Sequence, residues 1–581
     1  MPAADVITVA PAAGRQASGE DADPITTEVV RQGLIAVADQ MKLALQRTAF
    51  SPIIYDMIDF ACGLFDRDVK LLAQARTLPA FLGTLGFCVE AALQRLGGRE
   101  QLEPGDVIWS TAGYDNGCHP QDAVIIVPAF LDDDLVGYAV IKAHQSDIAA
   151  IDVYPLNTTD VFQEGVIFPA VRLYRGGELQ QDMYRTILAN TRYPEALEGD
   201  MNAQITATRL GAASLSRLVE KHGREVFAAS VERMFAHGEA IVRSRLQAIP
   251  DGRYVATCSM DDDGIGTDMV VYDVALEVDG SDVVVDFSEA PPVQQGPINC
   301  PLPAVVASSR IAVYALAGVD EPPNEGHFRP IATRVRRGSM FCPEPPAPIF
   351  VYGWASDMAV EGLQAAVADV MPESVAAGSG GDLCGVGWWG EYRDGTPWSI
   401  GPDHPVGQGA THDADGAHCL FILPLSGLQV TSIEVVELSA PLIVECYELA
   451  PDSAGAGRCR GGLGVDVDFR LLEDAYFNCI VERTKSPGWG LAGGHEARPN
   501  HCALEYPDGT REPVAKVTRM LLAEGTRVLL RTGGGGGFGP PSERPVEKVM
   551  EDIREGVITP AEAHRQYPQL GAAREVDPGI T

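Results

Sequence analysis

Three residues with metal-binding side chains stand on one short stretch of the chain: His119, Asp122 and His144, within Cys118-His119-Pro120-Gln121-Asp122 and Ala143-His144-Gln145-Ser146-Asp147. Two imidazole nitrogens and a carboxylate oxygen suit a first-row divalent ion such as Zn, Mn or Fe, and three protein ligands leave coordination positions open for chemistry. The sequence between them can bring them together. Ala-Val-Ile-Ile-Val-Pro-Ala-Phe-Leu, then Asp132-Asp133-Asp134, then Leu-Val-Gly-Tyr-Ala-Val-Ile-Lys-Ala reads as two apolar strands joined by a polar turn. In a hairpin symmetric about Asp133, Asp122 and His144 each stand eleven residues from the centre and face each other, with Cβ atoms about 4.5–5.5 Å apart. His119, just before the first strand, reaches the same point from the loop. There is also a plainer reading, because His and Asp are ordinary at strand ends and a one-residue slip moves a side chain to the other face. Cys118 is either a soft ligand or a small buried residue at the strand entry.

The elements that must position this hairpin are legible in outline. Ordered structure is expected from Asp23-Pro24-Ile25-Thr26, followed by a helix with Val30, Leu34, Val37, Met41, Ala44 and Leu45 at helical spacing. Further helices are expected over 83–96, 195–219, 224–249 and 305–317, and strands at 107–109 and 283–287. Residues 378–416, rich in Gly, Asp and Trp, read as loops held by packing, and 433–528 as a β-rich segment. Thr559-Pro560-Ala561-Glu562 opens a short helix, preceded by one with an apolar stripe of Val546, Val549, Met550 and Ile553. Together these patterns predict a multi-domain α+β protein with mixed, largely antiparallel sheets and flanking helices. The expected division is a disordered leader over 1–22, an α+β domain carrying the hairpin over 23–250, and a central mixed domain with substrate-site loops over 251–430. A β-rich domain over 431–541 and a helical tail over 542–581 complete it.

Composition narrows the partners. The 581 residues include 44 basic and 80 acidic ones, a formal charge of −36, which argues against nucleic acid or anionic membrane. Apolar runs such as 123–127 and 383–389 are too short to span a bilayer. Residues 1–23 hold one basic residue, Arg15, and no apolar stretch of the signal-peptide kind. Twelve scattered cysteines without a Cys-x-x-Cys pair read as reduced thiols, so a cytoplasmic protein is expected.

A further series of motifs runs in order along the chain. It comprises Asp23-Pro24-Ile25-Thr26, Leu45-Gln46-Arg47-Thr48-Ala49-Phe50-Ser51-Pro52, Asp59-Phe60 with Leu64-Phe65-Asp66, and Phe162-Gln163-Glu164-Gly165. Pro322-Pro323-Asn324-Glu325-Gly326, Trp489-Gly490-Leu491-Ala492-Gly493-Gly494 and the Gly533–Gly537 run follow. With the hairpin motifs, this series resembles the B-type subunit of ATP-dependent hydantoinases and oxoprolinases, which is related to one large subunit of acetone and acetophenone carboxylases. The likeness covers about 23–570 of the sequence.

The resemblance implies that a His-x-x-Asp pair and the first His of an Ala-His-His-x-Asp segment, here His119, Asp122 and His144, hold a divalent metal, Zn or Mn. Gln145 stands where the family has its second His, and Cys118 where it often has Thr. The resemblance also implies an A-type partner subunit that binds ATP and Mg, in a hetero-oligomer of α2β2 type. Consistently, this chain has no Gly-x-x-x-x-Gly-Lys-[Ser/Thr] loop. Gly533–Gly537 is followed by Phe-Gly-Pro-Pro and reads as a tight, close-packed turn.

On this resemblance the partner phosphorylates the oxygen of a lactam or hydantoin, and water of lowered pKa at this chain's metal attacks the activated carbon. Asp59 and Asp147 are the candidate catalytic carboxylates, for proton transfer or for orienting the ligands. His412 and His418, in His412-Asp413-Ala414-Asp415-Gly416-Ala417-His418, are candidate substrate-binding residues. Two other readings fit the same residues: a subunit of an ATP-dependent ketone carboxylase, and a scaffold subunit with a structural metal.

Overall fold

Residues 122–131 are apolar at nearly every position, and such a strand is stable only with both faces covered. In the computed structural model, which describes residues 5–10 and 23–572, this segment lies at the centre of a seven-stranded antiparallel sheet. Its strands are β1 (Phe60–Asp66), β2 (Leu71–Gln74), β3 (Val107–Ser110), β4 (Asp122–Leu131), β5 (Asp134–His144), β6 (Val171–Arg175) and β7 (Glu178–Leu179). They run side by side in the order β2-β1-β5-β4-β3-β6-β7. One face presents Ala123, Ile125, Ile141 and Ala143 to a core shared with Val30, Leu34 and Met41 of the Pro24–Thr48 helix and Leu197, Met201 and Leu215 of the Pro194–His222 helix. Alternation places Asp122, Val124 and Ile126 on the other face, opposite His144, Lys142 and Val140.

The hairpin register is set in two steps. Beside the turn, Leu131 faces Asp134 and Phe130 faces Leu135, with Asp132 left-handed at φ 56°. A bulge between Ala129 and Phe130 then shifts the ladder by one residue, so that Ala129 faces Gly137 and Asp122 faces His144. Pairing about Asp133 therefore holds beyond the bulge, where the candidate ligands stand.

The flanking helices begin and end where their terminal residues direct. The Pro24–Thr48 helix has Asp23 as its N-cap, accepting from the Thr26 amide, and Pro24 in its first turn. Gly223, at φ 80°, separates the Pro194–His222 helix from Arg224–Leu246. A second sheet orders Val6–Val9, Ile331–Arg336, Asp282–Phe287, Val270–Asp279 and Gly252–Met260 side by side. Asp282–Phe287 and Ile331–Arg336 are parallel, and the Leu302–Ala317 helix lies in the connection between them. The strand Val6–Val9 falls within the expected disordered leader, because its β-branched residues find an edge on Ile331–Arg336. Residues 1–4 and 11–22 lie outside the described residues.

The chain forms two compact units, each discontinuous in sequence. The first comprises residues up to Leu363 with Glu391–Ser399 and Leu423–Val435, and the second Gln364–Gly390, Ile400–Ile422 and the chain from Val436 onward. In the second, an antiparallel sheet orders Leu442–Leu449, Val465–Leu471, Arg527–Arg531, His501–Glu505 and Arg511–Val514. Gly533–Gly537 leaves this sheet as a buried passage, close-packed as its composition predicts but without a left-handed residue. It is no turn: its amides from Gly534 to Gly537 donate to the carbonyls of Arg498, Gly462, Gly378 and His495. The architecture is α+β and multi-domain, with largely antiparallel sheets.

Candidate metal centre

His119, Asp122 and His144 converge on a single point. His119 Nε2 lies 2.9 Å and His144 Nδ1 3.0 Å from the same oxygen, Asp122 Oδ1. One ligand atom from each residue lies within 4.8 Å of the others, and Asp122 is fully buried while each histidine is 5 % exposed. The turn that carries His119 is closed by the Asp122 amide, which donates to the His119 carbonyl at 3.1 Å. Cys118 is fully buried and directs Sγ to the Asp122 carbonyl at 3.7 Å, outside the ligand cluster.

Asp59 joins this point through the sheet. The β1–β5 ladder pairs Phe60 with Ala143, and the His144 amide donates to the Asp59 carbonyl at 3.1 Å. The Asp59 carboxylate is thereby brought to 3.9 Å from His144 Nδ1, with Oδ1 buried and without a hydrogen-bond partner. Burial pushes its pKa up to about 7, with Asp122 adding to the rise and His144 opposing it. Burial alone would also raise Asp122, but His119 and His144 hold it well below the usual carboxylate range. A fully buried and a partly exposed carboxylate with two imidazoles, Asp59 Oδ1 and His119 Nδ1 being buried and unpartnered, form a donor set that fits a divalent cation of the Zn or Mn kind.

Aromatic side chains wall the site. Phe350 stands edge-on to His119 with ring centroids 4.7 Å apart, and Tyr154 meets Phe350 at the same distance. The Tyr352 hydroxyl donates to Asp122 Oδ2 at 3.3 Å. Burial and the charge of Asp122 push the Tyr352 pKa well up, keeping it a donor. Glu164 fixes the segment that carries Phe350 by accepting from the amides of Ile349 and Phe350 and from Thr158 Oγ1. None of these residues was singled out from sequence as a site residue. Tyr352 lies 230 residues from Asp122, and no local pattern announces that approach.

Residues 23–541 match the hydantoinase B/oxoprolinase family. The chain belongs to that family. It is 30% identical over 568 residues to a protein provisionally described as the B-type subunit of a D-/L-hydantoinase from Pseudomonas sp. strain NS671, covering 94% of this chain and 95% of the relative. The crystal structure of the ATP-dependent caprolactamase from Pseudomonas jessenii superposes with a TM-score of 0.88 at 25% identity, over 97% of this chain and 98% of that one. A nucleotide-free acetone carboxylase structure shares the fold with a TM-score of 0.84 at 17% identity, over 95% of this chain and 80% of that one.

The other residues singled out from this hydantoinase B-type sequence have different surroundings. Asp147 is buried and engages Arg192 with both oxygens, Oδ1 from Nη1 and Oδ2 from the amide, each at 2.7 Å. Those bonds hold the chain at Arg192. Gln145 follows His144 on the opposite face, where its Nε2 donates to the Ala143 carbonyl and lies 3.5 Å from Gln204 Oε1. His412 and His418 belong to the second unit and not to the ligand cluster. His418 Nδ1 accepts from the Leu463 amide at 2.8 Å, and His412 lends its carbonyl to Arg458.

Proposed function

We propose that this chain is the metal-binding component of an ATP-dependent cyclic amide hydrolase, acting on a phosphorylated lactam or hydantoin that an ATP-binding A-type partner supplies. The observation that carries this reading is the convergence of His119 Nε2 and His144 Nδ1 on Asp122 Oδ1 in a buried cluster flanked by aromatic rings. The names of its relatives, a B-type hydantoinase chain and an ATP-dependent caprolactamase, supply the substrate class. His119, Asp122 and His144 hold the ion, Zn or Mn. Such an ion, when bound, supplies Lewis-acid polarisation and water of lowered pKa.

The chain's own residues orient and exclude. Asp59, with Oδ1 free of hydrogen bonds beside His144, accepts a proton from the attacking water. Tyr352 holds Asp122 by its second oxygen, and Phe350 and Tyr154 keep bulk water from the reacting carbon. Asp147 fixes Arg192. His412 and His418 remain candidates for guiding substrate. The partner binds ATP and Mg, and the two subunits form an α2β2-type assembly. A cytoplasmic setting accords with cysteines that are all free and mostly buried. Among the described residues no helix is long and apolar enough to cross a membrane.

The test is ATP turnover by the purified two-subunit complex given lactams, hydantoins and labelled bicarbonate. Ring opening with bicarbonate-independent ATP turnover is the expected result. Strict dependence on bicarbonate, with label entering the product, would replace the hydrolase by a ketone carboxylase.

A further inference from the structure

A cavity of about 590 Å³ in the first unit presents three cationic side chains to one space: Lys42 of the Pro24–Thr48 helix, Arg76 just after β2, and Arg310 of the Leu302–Ala317 helix. In a chain of charge −36 most arginines lie against carboxylates, and Arg310 does not. Its Nε is buried without a hydrogen-bond partner. The guanidinium stacks 5.0 Å from the Phe328 ring centroid and 5.9 Å from that of Phe87. Glu90 and Glu325 are the acids whose charge it feels, and neither hydrogen-bonds to it. Glu325 instead accepts from the Leu71 amide.

The other polar groups divide unequally. Lys42 directs one donor to the Arg76 carbonyl at 2.8 Å, leaving ammonium donors over. Of the acids that line the cavity, Glu321 already serves His327 Nε2 at 2.9 Å and His237 at 3.3 Å, and Asp320 is exposed. Leu82, Ala307 and Ile311 give the rest of the wall apolar carbon. A guanidinium whose Nε is buried without a partner, and which has no carboxylate bonded to it, is costly to the fold, and desolvation lowers its pKa accordingly. A stacked, pre-oriented guanidinium beside spare ammonium donors is also the arrangement that binds an oxyanion.

We propose that this cavity is a binding site, separate from the metal centre, for a small organic anion: a carboxylate or phosphate carried on a short apolar body. Its volume is that of a small-molecule pocket. The oxyanion would sit between Arg310 and Lys42, with its carbon chain against Leu82 and Ile311.

Sodium hexanoate and inorganic phosphate, each titrated into the metal-loaded full chain against sodium chloride of matched ionic strength, test the site and separate its two chemistries. Calorimetry should show one anion per chain for at least one probe, with a rise in melting temperature at about 10 mM. The Arg310→Met variant should weaken that affinity at least about tenfold, and Arg310→Lys less, since the planar fork is lost but the charge is kept. Without anion, Arg310→Met should melt no lower than wild type; a structural arginine would behave in the opposite way. Should Arg310→Met fail to fold, Lys42→Met combined with Arg76→Met, nearer the surface, carries the same test and should also weaken binding several-fold. The proposal is overturned if neither probe binds above the chloride control, or if these variants bind as wild type does. It is equally overturned if His144→Ala abolishes binding, which would place the anion at the metal centre.

Discussion

The β4–β5 hairpin and the Gly533–Gly537 passage are both buried, and they use burial in opposite ways. In the hairpin most backbone groups are spent on the ladder, so the side chains are free to do chemistry, and alternation sends His144 and Asp122 to one face. In the glycine passage there are no side chains, and backbone packs directly on backbone from four other segments. A Cβ at Gly535 would overlap the Gln408 carbonyl, and one at Gly536 that of Trp489. A regular ladder tolerates many side chains at each position, whereas a crossing of backbones tolerates only hydrogen.

That contrast can be broken at either end. The largest effect is expected at the glycines: Gly535→Ala should cost more than about 4 kcal/mol and unfold the second unit, read as loss of its cooperative denaturation transition. A variant that melts as wild type does would remove the backbone-packing argument. At the hairpin the fold should survive and the function fail. His144→Ala and His119→Ala are expected to lower metal content by at least about 100-fold in affinity with unchanged secondary structure. Full metal retention by both, measured by elemental analysis, would exclude this centre.

Acid separates the units by sign. His404, buried in the second unit, has its pKa lowered to about 4 by burial, so the unfolded chain takes up its proton first. Stability there should fall from near pH 6.5 towards pH 4, by about 3 kcal/mol in all. Glu164 in the first unit has its pKa raised to about 8 by burial, so its contribution is full below about pH 4.5 and is lost as pH rises through 8. Denaturation followed across pH in wild type, His404→Phe and Glu164→Gln should show the two slopes vanish separately. A smaller effect is expected from Gln204→Leu, because Gln204 Nε2 donates to the Ala123 and Ile141 carbonyls at 3.0 and 2.8 Å. Its loss removes two buried hydrogen bonds and should cost about 2 kcal/mol, with metal content held.

Much of the hairpin was legible because a strand has a period of two and a polar turn marks its centre. The bulge at Ala129/Phe130 was not legible, yet it is what restores the register that brings Asp122 to His144. The Thr559 cap was legible as well, since its hydroxyl, the following proline and Glu562 are all local, and Thr559 does accept from the Glu562 amide. Gly533–Gly537 was legible as close-packed but not as an extended passage, because the carbonyls that take its amides come from residues far along the chain.

By itself, the sequence determined the α+β class, the helix cap at Thr559, the strand pair and the identities of the three candidate ligands, all of which rest on short-range periodicity and local hydrogen bonding. Only the tertiary structure decided that Asp59 stands beside His144, that Tyr352 and Phe350 close the site, that Arg192 occupies Asp147, and that Arg310 faces a cavity without a carboxylate partner. Those are long-range juxtapositions, set by which buried surfaces fit and not by any interval along the chain.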